Sequence, residues 1–149
     1  MPYSDLRKGR YSEPGREYLI TTVLAGRRPL FLDLWTVRLL VRALRQTSAQ
    51  GDGVWLAWVA MPDHFHGLLS LAQGASLART VSQMKGRAAR WINGHLGATG
   101  PVWQPAYHDH ALRREEDRLA VARYIVANPL RKGLVERLGD YPHWDSVWL

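Results

Sequence analysis

Apolar and polar residues alternate from Glu17 to Val23, with Tyr18, Ile20 and Thr22 on one side, the period of a strand with one buried face. From Asp33 the period becomes helical. Asp33 is a capping residue type, Leu34, Val37, Val41 and Leu44 form an apolar stripe, and Gly51 lies past the end. The run Val54 to Met61 is apolar on both faces, as a strand covered on two sides must be. Pro62-Asp63 turns the chain, and His64 to Leu71 reads as the returning strand of a hairpin. A second helix is expected from Ser76 to about Asn93, with Leu77, Val81, Met84, Ala88 and Trp91 inward, followed by a loop holding Gly94, Gly97, Gly100 and Pro101. Tyr107 to Leu112 suits another strand and Glu115 to Asn128 another helix. Pro129 stops that helix, because the residue before a proline resists the helical conformation.

Residues 1–16, with Gly9, Pro14 and Gly15, read as an N-terminal arm, and residues 130–149 as a tail whose tryptophans dock on the body. No repeat or low-complexity tract interrupts the pattern. Strand, helix, strand, strand, helix, strand, helix predicts an α+β sandwich: a mostly antiparallel sheet of four strands, with helices against one face and a single core.

The length, 149 residues at 17.0 kDa, fits one compact domain over 1–149 and is too small for two ordinary ones. Twenty Lys and Arg against thirteen Asp and Glu leave a net charge of +7, and 17 of the basic residues are arginine. The planar guanidinium fork suits phosphate oxygens, so a polyanionic partner is expected. The absence of cysteine removes disulfides, thiolate metal sites and cysteine nucleophiles together. Met1 to Lys8 lacks the apolar core of a signal peptide, and Val54–Met61 falls well short of the ~20 residues of a membrane span. A soluble, cytoplasmic protein with no membrane partner is the expectation.

Candidate chemistry begins at His64-Phe65-His66. On a strand the two imidazoles share one face while Phe65 joins Leu69 and Leu71 on the other, so His64 and His66 can hold one divalent ion. Two polar residues at an exposed strand edge give the same pattern, and His108-Asp109-His110 repeats it. The second element is Tyr124 with Asn128. Four residues apart on a helix, they lie about 40° from each other, in a stripe with Asp117 and Val121, while Leu119, Ala122 and Val126 face the core. A tyrosine that merely packs, and an asparagine that merely ends a helix, fit equally. Together the two elements would supply a hydroxyl nucleophile and neutral ligands for a metal that polarises a phosphoryl oxygen. With so few carboxylates, a substrate phosphate would have to complete the shell of a magnesium ion, and imidazole would also suit manganese. Arg38, Arg42 and Arg45 on the first helix and Arg79, Lys85, Arg87 and Arg90 on the second could follow a phosphate backbone, with tryptophans stacking on bases, or could be solvated helix faces.

Met61-Pro62-Asp63-His64-Phe65-His66, then Val102-Trp103-Gln104, then Tyr124 to Val135 (YIVANPLRKGLV) resemble the REP-associated tyrosine transposases, single-strand DNA transposases of the HUH superfamily. The resemblance runs from Gly15-Arg16-Glu17-Tyr18 to Tyr141-Pro142. It implies His64, His66 and Asn128 as ligands of magnesium or manganese, and Tyr124 as nucleophile, forming a 5′-phosphotyrosine and releasing a 3′-hydroxyl. It implies single-stranded or hairpin DNA as partner, no small-molecule cofactor, a monomer or homodimer associated with the nucleoid, and a ferredoxin-like, RRM-like sandwich of four to five strands with helices mainly on one face. Asn128, where related insertion-sequence transposases usually carry glutamine, favours the REP-associated branch. Pro105 and Ala106 depart from the basic or aromatic segment of many relatives, and the resemblance gives no role to His110. A non-catalytic single-strand-binding module of the same fold, or a metal-dependent hydrolase of small phosphoesters, would share much of this pattern.

Overall fold

The computed structural model describes residues 16–113 and 118–148. The first fifteen residues of the expected arm, and Glu115 to Asp117 at the expected start of the third helix, lie outside them. Five strands, β1 (Glu17–Val23), β2 (Gly53–Met61), β3 (His64–Leu71), β4 (His108–Ala111) and β5 (Trp144–Ser146), join four helices, α1 (Leu34–Ala49), α2 (Leu77–Leu96), α3 (Arg118–Val126) and the short α4 (Asn128–Arg131). The sheet order is β4-β1-β3-β2-β5 and each neighbouring pair is antiparallel. The first four strands with α1 and α2 make the ferredoxin-like β-α-β-β-α-β unit, and β5 is added at the β2 edge. The fold is thus the α+β sandwich that the order of elements predicts.

Local chemistry sets the helix ends. The Asp33 carboxylate accepts from the Trp35 amide at 2.9 Å and the Ser76 hydroxyl from the Arg79 amide at 3.3 Å, each satisfying a donor that the first turn leaves over. Gly97, at φ 62°, takes the left-handed conformation that closes α2. On α1 the buried stripe is Val37, Leu40, Leu44 and Thr47, with Ala43; Leu34 is 46% exposed and Val41 half-buried. Both stripes satisfy the 3.6-residue period, and contact with the sheet selects between them. On α2, Ile92 fills the core position expected of Trp91, which is only half-buried.

The expected single core is divided in two by the sheet. Tyr18, Ile20, Phe65 and Leu69 pack under α1 and α2, with Phe31 and Trp103. Val59, Met61 and Leu68 pack on the opposite face under Ala122, Ile125 and Val126 of α3 and Tyr141 of the tail. A bulge at Leu56 shifts the register of β2 against β3: Trp55 pairs with Leu69 and Ala57 with the next residue, Leu68. The tail is held by pairing of β5 with β2 and by the Tyr141 hydroxyl donating to the Ala60 carbonyl at 2.6 Å. Burial pushes that phenol up to about 12. Three residues of strand are too few to show a period, so the alternation does not place β5, although a fifth strand agrees with the four to five that the family resemblance implies. Among the described residues no helix is long and apolar enough to cross a membrane.

Gly67 follows the second histidine of β3 and faces the α1–α2 layer. A Cβ there would stand 2.7 Å from both Phe65 and Trp55, whose rings meet edge-on at 5.3 Å. Gly67→Ala should therefore cost roughly 1–3 kcal/mol through overpacking. Denaturant unfolding checks this: an unchanged midpoint would mean that the two rings yield freely.

Candidate active site

β3 is the middle strand, with β1 on one side and β2 on the other, so its pleat is fixed from both edges. Phe65, Leu69 and Leu71 point into the α1–α2 layer, as the alternation predicts. His64 and His66 therefore face the α3 side with Leu68. There His64 Nε2 lies 3.0 Å from His66 Nε2, and the rings cross edge-on with centroids 4.6 Å apart.

Each ring is held from behind. His64 Nδ1 is 2.7 Å from Asp63 Oδ1, and since a carboxylate only accepts, Nδ1 carries a proton and donates it to that oxygen. His66 Nδ1 is 2.8 Å from the hydroxyl of Thr21, its register partner on β1. Arg27 Nη1 donates to the other Asp63 oxygen at 3.2 Å. Arg27 reaches it from a turn in which its own φ is 50°, a left-handed conformation that costs an ordinary residue about 1–2 kcal/mol. The Leu24 amide, bonded to the Asp63 carbonyl at 2.9 Å, fastens that turn beside the hairpin.

Burial raises the Asp63 carboxyl, but the His64 hydrogen bond and the Arg27 guanidinium outweigh it, and its pKa is lowered. Burial, then the His64, Arg131 and Lys132 charges, bring His66 down to about 4. His66 is thus neutral near pH 7, with a ring nitrogen lone pair available.

The spacing of the two nitrogens is one that a hydrogen bond between the rings and a shared cation would both give. Octahedral ligands at about 2.1 Å from an ion stand about 3.0 Å from each other, the Nε2 to Nε2 spacing seen here. Among the described residues no third His, Asp, Glu or Cys joins them. Further donors must be amide, water or substrate oxygens.

Asn128 is buried at 4% exposure and Tyr124 is 61% exposed, so the shared stripe expected of one continuous helix does not form. The helix is interrupted: α3 ends at Val126, Ala127 sits at ψ −1°, and α4 begins at Asn128 with Pro129 in its first turn. Proline has no amide to donate, and the chain turns there instead of continuing. Ala122 and Val126 face the core as expected, now with Ile125. Arg131 links the two halves of the candidate site. Its guanidinium carbon lies 3.7 Å from the Tyr124 ring centroid, Nη1 donates to the Tyr124 carbonyl, and its charge bears on His66.

The second His-x-His pattern lies elsewhere on the same face. His108 pairs with Thr21, and Thr21 with His66, so His108 stands two strands, about 10 Å, from the pair. Asp109, opposite Ile20, is buried on the α1–α2 side. The basic residues divide as well. Arg38, Arg42 and Arg90 line one groove between α1 and α2; Arg45 and Arg79 are exposed and Arg87 half-buried, outside it. Lys85 donates to the carbonyls of Gln104 at 3.0 Å and Ala106 at 3.3 Å, tying a loop to α2.

Thr21, Arg27, Asp63 and Arg131 were not singled out from the sequence as site residues. Asp63 carried a signal, being a carboxylate at the turn next to a histidine. Thr21 depends on strand register and Arg27 on an irregular turn, neither visible in one-dimensional spacing.

Residues 16–128 match the family model described as "Transposase IS200 like". The chain belongs to this transposase family. A REP-associated tyrosine transposase of Escherichia coli K12 is 27% identical over 137 residues, covering 89% of this chain and 78% of its own. A Haemophilus influenzae relative is 25% identical over 139 residues, covering 87% and 78%. The solved structure of a REP-associated tyrosine transposase bound to a REP hairpin superposes with a TM-score of 0.75 at 26% identity, over 91% of this chain and 79% of that one. The resemblance of the sequence to the REP-associated transposases is thereby borne out.

In this IS200-like transposase, Val102-Trp103-Gln104 has a structural task. Trp103 bridges to Leu24 and packs on Phe31 at 5.7 Å, its indole donates to the Lys85 carbonyl at 3.0 Å, and the Gln104 amide bonds to Val23 at 2.8 Å. The segment extends the β1 edge and anchors the end that faces the Arg27 turn.

The His66 shift has a sign for stability. Its folded pKa of about 4 lies below the ordinary 6.5, so between those values the unfolded chain binds the extra proton. Stability should fall as pH drops through that window and level off below about 4 on this account. Burial lowers His143 too and acts in the same direction. Melting temperatures across the window should show the fall in the native chain and a shallower one in His66→Gln; equal slopes would refute the shift.

Proposed function

We propose that this transposase nicks and rejoins single-stranded DNA at hairpins, with Tyr124 as nucleophile and His64, His66 and Asn128 holding one divalent cation, magnesium or manganese. The observation that carries the reading is the facing Nε2 pair at 3.0 Å, each ring anchored through its other nitrogen. The similarity to a hairpin-bound REP-associated transposase supports hairpin DNA as the substrate.

His64 and His66 would supply two neutral nitrogen ligands and Asn128 an amide oxygen, a donor set that leaves positions for substrate phosphate. When bound, the cation supplies Lewis-acid polarisation of a phosphoryl oxygen. Tyr124 Oη attacks the phosphorus, forming the tyrosine–phosphate bond as the bond to the 3′ oxygen breaks. The phenolic proton ends, in net terms, on that oxygen as a 3′-hydroxyl. Attack by the 3′-hydroxyl of another end reverses the step, joins the strands and restores the phenol. Arg131, stacked on the Tyr124 ring, orients the phenol and brings positive charge to the place where the phosphate must enter. Exposure of Tyr124 suits a nucleophile that meets a macromolecular strand.

Tyr124→Phe loses only a solvent-facing hydroxyl, so DNA binding should persist while the covalent adduct disappears. A denaturing gel of protein incubated with labelled hairpin oligonucleotides and manganese reads this directly. An adduct formed by the Phe variant would name another nucleophile, and none in the native chain would favour a non-catalytic binder. His64→Ala with His66→Ala should suppress cleavage; metal-dependent cleavage at the native rate would remove the pair from the site.

Asp63 acts on the cation through His64. Asp63→Ala should weaken manganese binding by about 10–100-fold, as loss of a ligand's outer partner commonly does. Titration calorimetry of the folded variant checks it, and native affinity would mean that the carboxylate serves only the turn.

A further inference from the structure

The outer side of the helical layer carries a second feature with its own chemistry. Between α1 and α2 runs a groove of about 510 Å³, lined among others by Trp35, Arg38, Arg42, Arg90, Trp91 and His95. No lining residue is acidic. The lining residue His95 meets a carboxylate, Asp33, at 3.3 Å, and the same carboxylate accepts from the Trp35 amide. Among the described residues none of the three guanidiniums pairs with a carboxylate. They rest on indoles instead: Arg38 over Trp35 at 4.8 Å, Arg42 over Trp91 at 4.2 Å and Arg90 over Trp91 at 5.7 Å. Stacking holds each head group in place, so little side-chain freedom remains to be lost when an anion arrives. Trp35 is 57% exposed and offers an open aromatic surface at one end.

We propose that this groove binds a single-stranded DNA segment, its phosphates on Arg38, Arg42 and Arg90 and a base on Trp35, at a site separate from the one that cuts. Arg38 and Arg42 are one helical turn apart, about 6 Å along the axis, of the order of one step of an extended backbone. A row of guanidiniums beside an exposed indole is the combination that holds unpaired strands without sequence preference. An acidic protein partner would use the charges but has no need of the exposed indole. The sheet sets the relation to the catalytic face. α1 and α2 cover one face and the His64–His66 pair lies on the other, so the strand in the groove is not the stretch at Tyr124. The groove thus adds a second hold on DNA. It shares only the ligand class with the proposed function.

The test measures binding of labelled oligodeoxythymidylate by fluorescence anisotropy over a range of salt, in a Tyr124→Phe background that forms no adduct. Replacing Arg38, Arg42 and Arg90 together by alanine should cost at least tenfold in affinity. It should also lower the slope of log affinity against log salt by about 2, since three single-strand phosphate contacts carry about 0.7 each. Unchanged affinity and slope would overturn the proposal. Trp35→Leu alters one exposed side chain and guards against misfolding of the triple variant. The tryptophan quenching that the strand causes should shrink in it, and quenching equal to the native value would remove the base from Trp35. Inorganic phosphate is the second ligand arm. If phosphate alone reproduces the quench, the groove is a small-anion site and the DNA assignment falls. Adduct formation on a short hairpin is scored separately in the groove variants with Tyr124 intact. Their retention of the adduct with loss of strand affinity supports two sites, whereas absence of the adduct in the native chain bears on the proposed chemistry alone.

Discussion

The pleat of β3 governs the arrangement of everything else. Phe65, Leu69 and Leu71 are each 2% exposed or less, and full burial of such side chains is worth roughly 1.5–3 kcal/mol apiece. A slip of one residue would turn all three toward α3 and drive two imidazoles into the layer under α1 and α2. The apolar residues thus hold the histidines on their face more firmly than any contact the histidines make themselves. Gly67 belongs to the same constraint: Phe65 can anchor the strand only if the crossing of its ring with Trp55 is left clear.

Placement alone would leave two imidazoles free to rotate. Orientation comes from neighbours that differ in kind. Asp63 is charged and holds His64, while Thr21 is neutral and holds His66. A second carboxylate behind His66 would favour its protonated form and oppose the burial that brings it to about 4. A hydroxyl fixes the ring without that penalty. Arg27 compensates the one carboxylate present, and its left-handed backbone is strain held at the place where the charge is needed. The positive groups whose charges act on His66, Arg131 and Lys132, lie three and four residues after Asn128, so the turn at Pro129 delivers the buried amide and two cations together.

What could be read from the sequence was local or strictly periodic. The alternation of β3, the cap at Asp33 and the arrest of α3 before Pro129 each depend on residues within a few positions of one another, and each is present. What escaped depends on register or on angles between elements. The i and i+4 relation of Tyr124 and Asn128 presumed an unbroken helix, and the turn at Ala127 buries one and exposes the other. The two arginine stripes were each visible, but their meeting was not: Arg90 joins Arg38 and Arg42 only because α2 packs beside α1, and Arg45, Arg79 and Arg87 fall outside the groove. Lys85 looked like its basic neighbours yet is spent on two carbonyls. Composition counts charges; it cannot say which are already occupied.

The sheet separates the two surfaces as well as joining them. The outer groove keeps its guanidiniums at the solvent side of the helical layer, where salt screens them over about 10 Å, while Arg131 and Lys132 act on a part-buried imidazole across the opposite face. Charges on the groove therefore have little direct influence on the titration of His66, and substitutions there can change how DNA is held without changing the state of the pair. That independence follows from a ferredoxin-like sheet with apolar layers on both faces. The two clusters, one under α1 and α2 and one under α3 and the tail, insulate a grip from a reaction centre that shares its strands.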